Sequence, residues 1–329
     1  MRIRTAAAAL AASFLLGATA VATAQSVDPK LPSYKAVSGV SGSLTSIGSD
    51  TLNNQMTLWA EGFRAFYPNV QIQVQGAGSG TAPPALVQGT AQFGPMSRPM
   101  RGTEIQGFEK RYGYAPTPIR GAIDALGVFV HKDNPLKCLT LQQVDAIFSS
   151  TRAGGLDKRI ATWGELGLTG DWANRPIALY GRNSASGTYG YFKEVALFGG
   201  DYHPEVREQP GSSTVIQGVA SEVGGIGYSG VGYATADVRA VPIAAKQGAD
   251  CFEASGEHAS SGDYPIARFL YVYVNKDPNR PLEPLRGEFI RFVYSKEGQE
   301  AVRRAGFFPV TKGLADKDLA AFGLKASGS

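Results

Sequence analysis

The chain has 329 residues, of which 43% are hydrophobic and 18% charged, with a formal net charge of +4. That balance is ordinary for a soluble globular protein, and the absence of a dense Lys/Arg run argues against a nucleic-acid surface. The length exceeds what one ordinary core fills, so two α/β lobes are expected.

Arg2 and Arg4 precede an Ala/Leu-rich stretch from Ala6 to Ala20, and Ala22-Thr23-Ala24 has the small-x-small form of a cleavage site. This reads as a secretory signal peptide over 1–24, cleaved after Ala24. A transmembrane anchor would need about 20 strongly apolar residues, and this stretch is short and mostly alanine. The residue directly after the cleavage site is Gln25 and not a cysteine, so no lipid anchor is expected. The mature protein is read as soluble and exported, which places its two cysteines in an oxidising compartment. Cys138 and Cys251 are therefore expected to form a disulfide, the alternative being two buried free thiols.

Residues 25–43, rich in Pro, Ser and Gly, read as a loose leader. A short strand over 44–47 ends in Gly48-Ser49-Asp50-Thr51. Helical spacing of Met56, Trp59, Phe63 and Phe66 follows over 52–66 and stops before Pro68; these side chains read as core. Val70, Ile72 and Val74 alternate as a strand, and the turn Gly76-Ala77-Gly78-Ser79-Gly80-Thr81 leads to a helix over 84–88. A third strand over 92–96 ends in Ser97-Arg98-Pro99. Three successive strand ends thus carry small polar residues, and open parallel sheets bind ligands outside the carboxyl ends of their strands.

The apolar run 123–131 reads as a crossing to a second lobe. There, 141–148 is helical and a strand over 176–180 feeds Gly181-Arg182-Asn183-Ser184-Ala185-Ser186-Gly187-Thr188, with a helix over 188–197. Helix over 215–221 and a buried strand over 224–229 follow. The apolar strand 267–275 reads as the return crossing, and helices over 285–294 and 298–305 pack back on the first lobe.

Ser79-Gly80-Thr81 and Ser186-Gly187-Thr188 are two copies of one tripeptide, each after a strand and before a helix. A small hydroxyl there caps the helix, glycine permits close backbone approach, and the unpaired N–H groups of the first turn attract anions. The two turns are expected to face each other across a cleft and hold one small oxyanion. Each feature also has a plain structural explanation: Asp50, Ser79 and Ser186 as caps facing water, Arg182 as a surface ion pair.

Taken in order, Gly48-Ser49-Asp50-Thr51, the turn ending Ser79-Gly80-Thr81, Phe93-Gly94-Pro95-Met96-Ser97-Arg98-Pro99 and the Arg182 to Thr188 motif resemble the periplasmic phosphate-binding proteins of ABC transporters. The resemblance runs from about residue 44 to 312 and includes Asp145-Ala146-Ile147-Phe148 and Gly224-Gly225-Ile226-Gly227-Tyr228. It implies a type II periplasmic-binding-protein fold. Each lobe would be a mostly parallel sheet flanked by helices, and two extended crossings would join them. Lobe I would span 44–124 plus 267–329, and lobe II 125–266. It also implies a monomeric receptor, without cofactor or metal, that closes on phosphate and delivers it to a membrane permease.

Carried over by position, Asp50, Thr51, Ser79 and Ser97 would hold phosphate from lobe I, and Arg182, Ser186, Gly187 and Thr188 from lobe II, with Gly80 of the first turn counted among the contacts. Ser97 stands where many members have an aspartate that accepts the ligand's proton, so Asp50 is the expected substitute. Ser184 stands where many have an acidic partner for the arginine, and Arg98 is expected to share the anion contact.

The competing class is an exported phosphatase or serine hydrolase with Ser186 as nucleophile. Gly-x-Ser-x-Gly and His-Glu-x-x-His are absent, and His131, His203 and His258 bear no recognisable relation to a serine or a metal set. A receptor, scavenger or adhesin for another tetrahedral oxyanion is the third reading.

Overall fold

The computed structural model describes residues 26–328; the expected signal peptide lies outside them. The strands are β1 (Ser43–Gly48), β2 (Gln71–Gly76), β3 (Phe93–Met96), β4 (Thr117–His131), β5 (Leu139–Thr140), β6 (Ala178–Arg182), β7 (Arg207–Gln209), β8 (Gly225–Gly230), β9 (Val238–Ala240), β10 (Ile243–Ala244) and β11 (Ala267–Val274). The main sheet runs β2-β1-β3-β11-β4-β8-β6-β7, with β9 also on β4, while β5 and β10 pair separately.

At one end β1 is parallel to β2 and β3, and at the other β6 is parallel to β7 and β8. Between them lie the two long strands, antiparallel to each other. β4 pairs with β11 through Thr117–Ala125 and with β8 through Leu126–Val130, so it belongs to both halves of the sheet. The two largest of the hydrophobic cores follow from this arrangement, one on each half of the sheet. One gathers Leu44, Trp59, Phe63, Phe93, Phe289 and Phe292; the other gathers Leu126, Val144, Phe148, Trp163, Phe192 and Tyr228. The chain is therefore two-lobed α/β, as expected.

The helices are α1 (Asn53–Phe66), α2 (Ala82–Gln88), α3 (Gly102–Tyr112), α4 (Leu141–Phe148), α5 (Gly187–Val195), α6 (Ser212–Ser221), α7 (Gly256–Ser261), α8 (Pro284–Val293), α9 (Lys296–Arg304) and α10 (Lys312–Ala321). Helices α8 and α9 pack back against α1. Among the described residues no helix is long and apolar enough to cross a membrane. A disulfide joins Cys138 and Cys251 within the second lobe, on the segments flanking the β5–β10 pair.

The first crossing starts six residues before the apolar run marked in the sequence. Arg120 lies in this added part of the strand, and it is accommodated because its backbone N–H and guanidinium both bind the Asp318 carboxylate on α10. Residues 26–42 form no helix or strand, yet they are not loose. Leu31 and Tyr34 are buried, and the Tyr34 hydroxyl donates to Glu288 at 2.8 Å. A Pro/Ser/Gly composition forbids repetitive structure without preventing single side chains from filling a core.

Candidate anion-binding site

Because β1, β2 and β3 are parallel, their carboxyl ends deliver Ser49-Asp50-Thr51, Ser79 and Ser97 to one edge of the first lobe. The second lobe presents Arg182 at the end of β6, with Thr188 and Ser212 in the first turns of α5 and α6. These groups meet. Ser97 Oγ lies 3.1 Å from Ser49 Oγ, 3.3 Å from Ser79 Oγ and 3.3 Å from Thr188 Oγ1. Thr51 Oγ1 is 2.9 Å from Thr188 Oγ1 and 3.5 Å from Ser212 Oγ. All six hydroxyl residues are buried.

The protein's own N–H groups orient several of these hydroxyls. Ser97 N–H donates to Ser79 Oγ at 3.0 Å, and the Arg182 guanidinium donates to Ser212 Oγ at 2.8 Å. Arg268 on β11 donates to Thr188 Oγ1 at 3.0 Å. Ser186 caps α5, its Oγ accepting from Thr188 N at 3.1 Å and Tyr189 N at 3.4 Å. Each such bond occupies an oxygen lone pair and leaves the hydroxyl proton to point elsewhere. The cluster is thus biased toward donating, which suits a ligand that only accepts.

The twin tripeptides do face each other, but their helix starts differ. Ser79 caps no helix: it opens the 3-10 turn Ser79–Thr81, and the short α2 follows without a side-chain cap. The expectation of two equivalent capped helix starts is corrected accordingly. Ser79 Oγ is taken by Ser97 N instead. The motif glycines serve the contact between the turns. Gly80 N–H donates to Ala185 O at 3.0 Å. A Cβ at Gly187 would overlap Ser79 Oγ and lie 2.8 Å from Ser97 Oγ.

Arg182 is enclosed, its side chain 1% exposed. Its Nη1 is 3.4 Å from Asp50 Oδ2, its Nη2 donates to Pro210 O at 3.0 Å, and its buried Nε has no partner among the described residues. Burial pushes the guanidinium pKa down and the Asp50 charge opposes this; an arginine starts so high that it stays protonated. Asp50 Oδ2 also accepts from Ser212 N at 2.8 Å. The acidic neighbour missing at Ser184 is therefore supplied by Asp50 from across the cleft, and Asp50 Oδ1 is not used by either contact.

Arg98 is not brought to this cluster. Its guanidinium forms a two-pronged pair with Glu104 at 2.8 and 2.7 Å and donates to Pro99 O at 2.9 Å. Glu104 sits in the first turn of α3, a helix that leaves almost no apolar stripe because only Phe108 is buried. The structure adds Ser49, Ser212 and Arg268 to the group. Ser212 had a readable signal, a glycine followed by a serine at a helix start, without the tripeptide. Arg268 was legible only as a charge inside an apolar strand.

The comparisons agree with this architecture. Residues 33–297 match the family model described as a PBP superfamily domain. The phosphate-binding protein PstS of Pseudomonas aeruginosa is 56% identical over 308 residues, covering 94% of this chain and 95% of that one. PstS of Bacillus subtilis is 28% identical over 305 residues, 92% of each chain. Among solved structures, a candidate phosphate ABC transporter substrate-binding protein from Clostridium perfringens, with bound phosphate, aligns at TM-score 0.69 and 27% identity. That alignment covers 82% of this chain and 100% of the other. With parallel strand ends facing across two crossing strands, and these relatives over nearly its whole length, the chain belongs to the PBP superfamily and, within it, to the PstS phosphate-binding proteins.

Proposed function

We propose that this protein binds inorganic phosphate between its lobes, outside the cytoplasmic membrane, and delivers it to an ABC-type permease. The observation that carries the reading is the convergence of six buried hydroxyls with the Arg182 guanidinium where the lobes meet. Stripping water from an oxyanion is costly unless its oxygens are satisfied. Oriented hydroxyls do this, and a guanidinium fork meets two oxygens at once. An anion enters by replacing the hydroxyl–hydroxyl contacts that now bridge the cleft.

Selectivity falls to Asp50. Phosphate at neutral pH carries a proton that sulfate lacks, and a carboxylate oxygen accepts it while repelling an unprotonated analogue. A buried site built on one such bond rejects the mismatched ligand by about 10⁴-fold. The proximity of Asp50 to Arg182 and Ser212 supports this role.

Capture rather than turnover is the expected activity. The imidazoles of His131, His203 and His258 lie beside Asp133, Glu205 and Asp263, whereas the cluster's serines face one another and two arginines. Calorimetry of the mature protein with phosphate, arsenate, sulfate and molybdate tests the reading. Stoichiometric binding of phosphate with weak sulfate binding is expected; no phosphate heat, or catalytic release of phosphate from an ester, overturns it.

A further inference from the structure

The two crossing strands carry a buried ion pair that ties Arg268 of the site to Asp124, a residue outside it. Asp124 on β4 and Arg268 on β11 are direct cross-strand partners. Their side chains are 0% and 2% exposed, and Asp124 Oδ2 accepts from Arg268 Nε at 3.0 Å and Nη2 at 2.8 Å. Asp124 Oδ1 accepts from Val231 N at 3.2 Å. The remaining donors of Arg268 reach the anion site from both sides. Nη1 donates to Ser97 O at 2.7 Å and Nη2 to Thr188 Oγ1 at 3.0 Å. The guanidinium also lies 5.2 Å from the centre of the Tyr191 ring.

Buried ion pairs rarely add net stability, because desolvating two charges offsets their attraction. This one has a geometric use. Strand β11 pairs with β3, with Tyr271 opposite Met96, so Arg268 and Ser97 are held in one sheet. Thr188 belongs to α5 in the other lobe, and its bond to Arg268 crosses the cleft. It forms only when the lobes are together.

Resting on the phosphate reading, we infer that Arg268 is a positioning residue for the ligand: held by Asp124, it receives the Thr188 oxygen on closure and turns the Thr188 proton toward the bound anion. Arg268 thereby tightens binding by slowing release, acting through Thr188 and not by its own contact with phosphate.

The test is a double-mutant comparison with inorganic phosphate on the full mature chain. Asp124→Asn with Arg268→Gln removes both charges, so no buried carboxylate is left alone. This pair is made with and without Thr188→Val, and the dissociation constant and the release rate are measured for all four proteins. The pair is expected to weaken binding about tenfold in the presence of Thr188, mostly through faster release, and less than about twofold with Thr188→Val. Equal losses in both backgrounds, or no loss in either, overturn the inference. Should the pair fail to fold, Arg268→Lys, which keeps the charge but not the fork, is put through the same comparison with the same criteria. Failure of the unmodified protein to bind phosphate would overturn the phosphate reading and this inference with it; binding by that protein without coupling overturns the inference alone.

Discussion

Gly187→Ala separates closure from folding. Gly187 is the first residue of α5, a position alanine also accepts, and without ligand the lobes can relieve the overlap by parting, so the ligand-free protein should melt close to the unmodified one. The added methyl would overlap Ser79 Oγ and sit 2.8 Å from Ser79 Cβ and from Ser97 Oγ, where ordinary contact begins at 3.4 Å. Ser79 cannot swing away without losing the bond from Ser97 N. The lobes must then part by at least about half an ångström in an interior packed at crystal density. That stretches the hydroxyl contacts at 2.9–3.3 Å toward lengths where hydrogen bonds fail. Losing two bonds to a charged ligand, at about 1.5–3 kcal/mol each, weakens phosphate binding by roughly 10²–10⁴-fold. Isothermal titration beside a thermal melt reads both quantities. An affinity within about threefold of the unmodified protein, with the melt unchanged, would refute the packing argument.

Other substitutions probe the ligands themselves. Asp50→Asn should cost phosphate about 100-fold while leaving sulfate equal or stronger, and an unchanged ratio between the two anions rules out the proton-acceptor role. Arg182→Lys keeps the charge but loses the fork; a drop of about 10–100-fold is expected by titration, and a loss under threefold counts against bidentate contact. Reducing the Cys138–Cys251 bridge, which spans 113 residues of sequence, should lower stability by about 4–5 kcal/mol in a chain-entropy account. Urea unfolding with and without reductant measures this, and phosphate affinity should stay within about twofold because the bridge joins segments beside the β5–β10 pair, which carry none of the site residues.

Features governed by local pattern were legible in the sequence. The stripe of Met56, Trp59 and Phe63 gave α1, and alternation in 70–75 gave β2, because a buried face in the helix and a half-buried one in the strand impose their periods on the residues. The small polar residues Ser49, Asp50, Ser79 and Ser97 could be assigned to strand ends because each follows such a run, and the structure gathers them at one edge. Helix α3 escaped because it buries so little, and α10 because Ala315, Asp318 and Leu319 make an unremarkable stripe. What depends on partners distant in sequence could not be read locally. The pairing of Arg98 with Glu104 required a helix the pattern does not announce. Asp50 meeting Arg182, and Arg268 meeting both Ser97 and Thr188, are products of tertiary closure.

The anchoring of the leader has a practical consequence for watching this molecule work. Asp28 accepts the Lys312 N–H, Ser327 accepts the Lys35 N–H, and Tyr34 is tied to Glu288, so both described ends are stitched to one lobe. A fluorophore fused near either end rides with that lobe and stays silent while the cleft opens and shuts. A distance reporter needs its second dye on the opposite lobe, where the exposed Phe198 offers a surface position.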